Sequence, residues 1–182
     1  MKHRKACIVS FSSRDGGNCA QIAGLLQALT QDAVLYDFSR FALHACGGCA
    51  YECFADRDGC PYIGDMEREI VDAVIHSETA WFVLPNYCDY PPANYFIFNE
   101  RSQCCFQGRP ELLDRYLRVP KRFIVVSNTN CGNFAKALAY QTQGEPEILF
   151  LSAKKYGKTS IRGDLLTSEQ ALADVKAFAG AE

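Results

Sequence analysis

The chain has 182 residues, 48% hydrophobic and 22% charged, with a net charge of −2. Such a length suits one domain over residues 1–182 with a substantial core, and the charge balance argues against an electrostatic nucleic-acid binder. No apolar run approaches the roughly 20 residues of a membrane span. The opening MKHRKACIVS has neither an apolar segment of signal-peptide length nor a small-residue cleavage site, so a cytoplasmic protein is expected.

Taken in chain order, five short apolar runs recur: Ala6–Val9, Ala33–Tyr36, Ala80–Leu84, Phe123–Val126 and Ile148–Leu151. They are continuous rather than alternating, which suits strands buried on both faces of a parallel sheet. Tyr36 and Trp81 are read as core residues of these strands. Helical patterns separate the runs. Cys19, Ile22, Ala23, Leu26 and Leu29 fall on one helical face. Met66, Ile70 and Val74 share another, with Asp65 and Glu67 placed favourably in a first turn. Pro91 and Pro92 open a helix expected from Ala93 to about Arg101. A fourth is expected near Asn133. In a fifth, Thr167 and Gln170 form a capping-box pattern ahead of Leu172, Val175 and Phe178. Strands alternating with helices imply a doubly wound α/β domain. The flavodoxin-like order 2-1-3-4-5 is favoured, a three-layer α/β/α sandwich that binds ligands at the carboxyl ends of its strands. The long segment from Phe38 to Gly64 leaves strand 2 at that same end.

Three loops at that end carry candidate chemistry. After strand 1 comes FSSRDGGNC, which opens directly into a helix. Free N–H groups and a partial positive charge at a helix N-terminus suit a phosphate. Ser12 offers a hydroxyl and Arg14 a fixed charge with fork geometry. Gly16 and Gly17 permit close backbone approach. Asn18 can cap the helix, while N–H groups of Asn18 and Cys19 point at the anion. The plainer alternative is a solvated turn with an ordinary Asn cap. Neither the P-loop pattern nor Gly-x-Gly-x-x-Gly is present, which disfavours a nucleoside triphosphate or a standard dinucleotide site. After strand 3, Pro85, Asn86, Tyr87, Cys88 and Asp89 supply an aromatic wall and backbone donors for a flat, partly polar ring system. After strand 4, Ser127, Asn128, Thr129, Cys131 and Gly132 lie in a polar, turn-prone segment placed to complete the pocket. Cys88 and Cys131 are read as backbone contact and packing rather than redox groups.

Together these segments resemble the NAD(P)H-dependent FMN reductase and iron–sulfur flavoprotein group of flavodoxin-like proteins. That group carries Ser-Pro-Arg-x-x-Gly-Asn-Thr after its first strand, matched by Ser12-Ser13-Arg14 and Gly17-Asn18-Cys19. Its Pro-x-Tyr after strand 3 is matched by Pro85-Asn86-Tyr87, and its Phe-x-Asp-Arg by Phe98-Asn99-Glu100-Arg101. A cysteine cluster before an Asp-Met-x-x-Ile helix is matched at Asp65, Met66 and Ile70. The similarity covers most of residues 5–135. Ser13 and Cys19 depart from the usual proline and threonine, and Asn94 and Tyr95 stand near where the group often has lysine. The resemblance implies FMN as cofactor, NAD(P)H as electron donor, and a quinone, free flavin or other acceptor. It places the backbone of Pro85–Tyr90 at the flavin N5 and pyrimidine edge. It puts the N–H groups of Ser127–Gly132 where negative charge develops on the reduced ring. No catalytic side chain is required. A homodimer is implied as well. The alternative is an electron-transfer flavoprotein that serves a protein partner.

Ten cysteines are present, four of them at Cys46, Cys49, Cys53 and Cys60. Disulfides are disfavoured in a chain of this size with its own core and no secretory signal. The four thiols suit a [4Fe–4S] cluster or zinc, but the alternative of reduced or redox-active thiols is favoured. Iron–sulfur members of the group use a tighter spacing than Cys49-x3-Cys53. His44 is close enough in sequence to replace a ligand, but a surface histidine is the expected reading. Residues 44–64 are placed to gate the open face of the flavin. Cys104 and Cys105 are read as buried or interface residues beyond the helix that follows strand 3. In that helix Tyr95–Phe98 is apolar, and packing on the sheet is favoured over a dimer contact.

Overall fold

The structure is a computed structural model that describes residues 4–128 and 131–181. Strands β1 (Arg4–Ser10), β2 (Ala33–Asp37), β3 (Ser77–Pro85), β4 (Lys121–Ser127) and β5 (Glu147–Ser152) form a parallel sheet in the order β2-β1-β3-β4-β5. Each apolar run read from the sequence lies inside one of these strands. Ile8 pairs with Leu35 on one side and Trp81 on the other, Phe82 pairs with Phe123, and Ile124 with Leu149.

Continuous apolar runs arise because the pleat sends alternate side chains to opposite faces and both faces are covered. Cys7, Val9, Phe82, Leu84, Phe123 and Val125 face one hydrophobic cluster, whereas Ala6, Ile8, Trp81, Val83, Ile124 and Val126 face the other. Helices α1 (Asn18–Leu29) and α6 (Glu169–Ala179) cover the second face through Ile22, Leu26, Ala171 and Val175. Helices α2 (Glu67–Ile75), α3 (Ala93–Phe106), α4 (Pro110–Arg118) and α5 (Gly132–Leu138) cover the first. Among the described residues no helix is long and apolar enough to cross a membrane.

The helix boundaries depart from expectation at three places. Helix α3 runs on past Arg101 to Phe106, so Cys104 and Cys105 lie within it. Helix α4 was not anticipated, although its markers are present: Pro110 at its first turn, Glu111 close behind, and Arg115 and Arg118 in its last turn. Its apolar stripe of Leu112, Tyr116 and Leu117 packs on the first cluster. In α6 the cap is Ser168, whose Oγ accepts from the Ala171 N–H, whereas the Thr167 hydroxyl donates to Asp164 O at 2.7 Å. Pro92 immediately precedes α3, as expected of a Pro-Pro entry.

Phe11 centres the first cluster. Its ring lies 5.2 Å from Phe38 and from Phe82, 5.4 Å from Tyr95 and 5.6 Å from Phe98. Tyr95 and Phe98 therefore pack inward, and Phe96 on the same helix is exposed. Aromatic pairs add about 0.5–1.5 kcal/mol each beyond area burial. Phe82 also packs edge-on against Phe98 and Phe123. Phe82→Ala is expected to cost about 3–5 kcal/mol in urea unfolding; a loss below about 1 kcal/mol would mean that this cluster does not anchor the sheet.

Candidate functional site at the carboxyl edge of the sheet

Strands β1, β3 and β4 end side by side, and their loops enclose a cleft. The Phe11 N–H donates to Val83 O at 2.9 Å, carrying the backbone one residue past β1 before the chain turns. The Ser12 hydroxyl accepts from the Arg14 N–H at 3.1 Å. Gly16 takes φ +61°, and Gly17 passes so close to Arg14 that an added Cβ would lie 3.3 Å from its carbonyl oxygen and side chain. Glycine is the residue that meets both demands. Ser13 is exposed, and its Oγ accepts from Asn94 Nδ2 at 2.9 Å, which ties the loop to α3.

Gly17, not Asn18, occupies the N-cap of α1, and no side chain caps that helix. Its first turn also carries no acidic residue. Asn18 is turned to another task. Its Nδ2 donates to Ser160 O at 3.1 Å and its Oδ1 accepts from the Leu165 N–H at 2.9 Å. Gln21 Nε2 donates to Gly16 O at 2.9 Å and to Gly163 O. Asn128 Nδ2 donates to Ser160 Oγ at 3.0 Å. Residues 160–165 thus form a strap across the mouth of the first loop. Sequence reasoning missed this strap; Gly163 and the polar residues between Lys158 and Asp164 were its only local signal.

The second loop is a tight reversal. Tyr87 and Tyr90 exchange backbone hydrogen bonds at 2.9 and 3.0 Å, and Cys88 and Asp89 between them have φ +54° and +68°. Non-glycine residues rarely adopt this conformation, and such strain concentrates at functional sites. Asp89 sustains it by accepting from the Asn133 N–H at 3.0 Å, which joins the second loop to the start of α5.

Ser12, Arg14, Gly17, Asn18 and Cys19 form one wall of the cleft. Pro85, Asn86, Tyr87 and Val126 form the second, and Ser160 and Ile161 the third, around a cavity of about 70 Å³. Tyr87 leaves 59% of its surface exposed. Cys88, Asp89, Ser127, Asn128, Cys131 and Gly132 do not line this cavity, and Thr129 lies outside the described residues. Burial, reinforced by the Asp37 charge, pushes the Cys19 thiol up to about 12, so it is a packing group rather than a nucleophile.

The cysteine segment lies elsewhere. None of residues 44–64 lines the cleft. The segment is held by Arg101, 2% exposed, whose Nη1 donates to Asp65 Oδ2 at 2.6 Å and to His44 O at 2.8 Å. Its Nη2 reaches Asp65 Oδ1 at 3.2 Å, Tyr62 O at 3.4 Å and Cys60 Sγ at 3.9 Å. His44 stacks on Tyr62 with ring centroids 4.7 Å apart. Cys46 is exposed, Cys49 and Cys60 are partly buried and Cys53 is buried. These thiols lie within electrostatic reach of one another. Yet among the described residues no three His, Cys, Asp or Glu side chains converge as metal ligands do.

Two carboxyls beside Arg101 are driven in opposite directions. Burial works to raise Asp65, but hydrogen bonds from Arg101 and from the His44 and Glu67 N–H groups outweigh it and hold it below the ordinary carboxylate range. Glu67, in the first turn of α2 as expected, is 1% exposed, and neither carboxyl oxygen has a hydrogen-bond partner among the described residues. Burial pushes it well above its ordinary 4.5, and the Arg101 charge only partly offsets this. Unfolded Glu67 ionises near 4.5 while the folded form keeps its proton, so its contribution to stability is full below 4.5 and falls as pH rises toward the folded value. Asp65 stays ionised throughout that window. Glu67→Gln should therefore match wild type near pH 4.5 and exceed it at about pH 8 by on the order of 1 kcal/mol. Urea midpoints at the two pH values test this, and a constant difference between the proteins would refute it.

No family model and no curated protein matches the chain. Solved structures do. One is FerB from Paracoccus denitrificans, described as a flavoenzyme NAD(P)H:(acceptor) oxidoreductase, at 16% identity and TM-score 0.56, with 97% of this chain and 96% of that one covered. Another is the Trp repressor binding protein from Bacillus subtilis, at 16% identity and TM-score 0.64, with 96% and 98% covered. An oxidoreductase from Corynebacterium diphtheriae aligns over the whole of both chains at 10% identity and TM-score 0.54. The likeness establishes the fold: this chain is a flavodoxin-like α/β protein.

Proposed function

We propose that the chain is one FMN-binding domain and works as an NAD(P)H-dependent oxidoreductase, with a quinone or free flavin as acceptor. The observation that carries this reading is one cleft in which the uncapped N-terminus of α1 and Arg14 face the Tyr87 wall. These residues fit FMN. The first-turn N–H groups of α1, the Ser12 hydroxyl and the Arg14 guanidinium suit a phosphate, and no acidic side chain in that turn opposes one. The reversal at Pro85–Tyr90 presents an aromatic ring and backbone groups to a planar ring system.

FMN held there would supply hydride transfer between NAD(P)H and the acceptor. Binding and orientation fall to the chain. Arg14 and the α1 N-terminus fix the phosphate end. The strained Tyr87–Tyr90 reversal, braced by Asp89 on Asn133, holds the ring end. The strap at Ser160 and Ile161, pinned by Asn18 and Asn128, shields the phosphate side from water. The third loop, with Ser127, Asn128, Thr129, Cys131 and Gly132, is assigned to the ring as well. Several neighbours of the same fold carry oxidoreductase descriptions, in keeping with this reading. We further propose a homodimer that covers the exposed Phe96, Leu113 and Tyr140 along the groove between α3, α4 and the turn after α5.

Flavin fluorescence titration tests the phosphate assignment. A charge-assisted contact is worth about 1.5–3 kcal/mol, so Arg14→Ala should weaken FMN binding by roughly 10- to 100-fold and lower NAD(P)H oxidation at subsaturating flavin. Equal affinity in the two proteins removes Arg14 from the site, and absence of flavin binding by the wild type removes the function.

A further inference from the structure

Cys104 was grouped with neither the loop thiols nor the cleft by sequence, but the fold brings it to Cys60. Both line a small cavity of about 20 Å³ with Cys105, Glu67, Arg57 and Arg101. Arg101 bridges the two cysteines: its Nη2 lies 3.9 Å from Cys60 Sγ, and its carbonyl accepts from the Cys104 thiol at 2.7 Å. Both side chains therefore meet beside Arg101 in one cavity. Each is held on a firm support. Cys104 is on the last turns of α3, and Cys60 follows the 3-10 turn Arg57–Gly59 with its carbonyl accepting from Ile63 N–H at 3.0 Å.

We propose that Cys60 and Cys104 are a redox pair which a hydroperoxide oxidises to a disulfide, stapling residues 38–65 to α3. Cys60 is the more accessible of the two, Cys104 being buried, so it meets the peroxide first. Its sulfur attacks one peroxide oxygen. The O–O bond breaks, Cys60 becomes a sulfenic acid, and the departing oxygen leaves as alcohol or water with the proton that Cys60 gave up. The Cys104 sulfur then attacks the Cys60 sulfur. The S–O bond breaks, the S–S bond forms, and the hydroxyl leaves as water with the Cys104 proton. Two thiols lose two electrons and one hydroperoxide gains them. Cys105, 3% exposed, packs into the hydrophobic core, so it stays out of the exchange. The proposal does not depend on flavin binding.

Peptide mapping of the full-length protein after hydrogen peroxide, with free thiols blocked by alkylation, tests it. Trypsin releases Cys60 alone in 58–68 and the other loop cysteines together in 41–57. Cys104 and Cys105 leave in 102–115, because the Arg109–Pro110 bond resists cleavage. The expected product links 58–68 to 102–115, with fragment ions placing the bond on Cys104, and dithiothreitol reverses it. Cys104→Ser should instead accumulate a Cys60 sulfenic acid that dimedone traps. Chymotryptic cleavage after the exposed Tyr51 and Phe54 should slow several-fold in the oxidised wild type. Absence of the linked peptide, or linkage of Cys60 to 41–57 or to Cys105, overturns the pair. The linked peptide with unchanged cleavage overturns the staple.

Discussion

A parallel sheet cannot be closed by hairpins, and its strands cannot face water. Each connection must cross from one end of the sheet to the other, so helices accumulate on both faces. In this chain that requirement sends Cys7, Val9 and Phe82 to one layer and Ala6, Ile8 and Trp81 to the other. It also forces every strand to end at the same edge. The polar loops are therefore collected in one place, and the interior is left to Phe11 and its four aromatic neighbours. Fold and cleft have a common origin in that one constraint.

Within the edge, competition for hydrogen bonds decides what each polar side chain can do. Asn18 lies where it might have capped α1, yet both ends of its amide serve the strap at Ser160 and Leu165. A helix whose first turn keeps its N–H groups unoccupied by side chains presents them outward. Asp89 is similar. Its carboxylate braces a left-handed turn by bonding across to Asn133. The residues that look most ligand-like in isolation thus hold backbone in place, and the backbone forms much of the cleft.

The Arg101 region follows another rule. A guanidinium buried to 2% exposure needs several acceptors, and it gathers Asp65, His44 O and Tyr62 O from a segment otherwise poor in regular structure. That gathering gives residues 38–65 a defined path over α3. It also sets Cys60 on a cavity that Cys104 shares. Glu67 sits in the same neighbourhood without a partner among the described residues, a buried carboxyl beside a cation already matched by Asp65.

The sequence by itself determined the five strands, their parallel arrangement and order, and the strand–loop–helix unit at Ser12–Cys19. All of these rest on local pattern: continuous apolar runs, helical spacing, and glycines where the backbone must turn. Helix α4 was legible from Pro110, Glu111, Arg118 and its stripe of Leu112, Tyr116 and Leu117, but it joins no two strands and so falls outside the strand–helix alternation. Only tertiary structure decided the rest. The strap at residues 160–165 meets the first loop through Asn18, 142 residues from Ser160. Cys60 and Cys104 line one cavity beside Arg101, which pairs with Asp65 across 36 residues. Contacts between segments so distant leave no periodic trace, since their partners are chosen by where the sheet places them and by which buried polar groups must be satisfied.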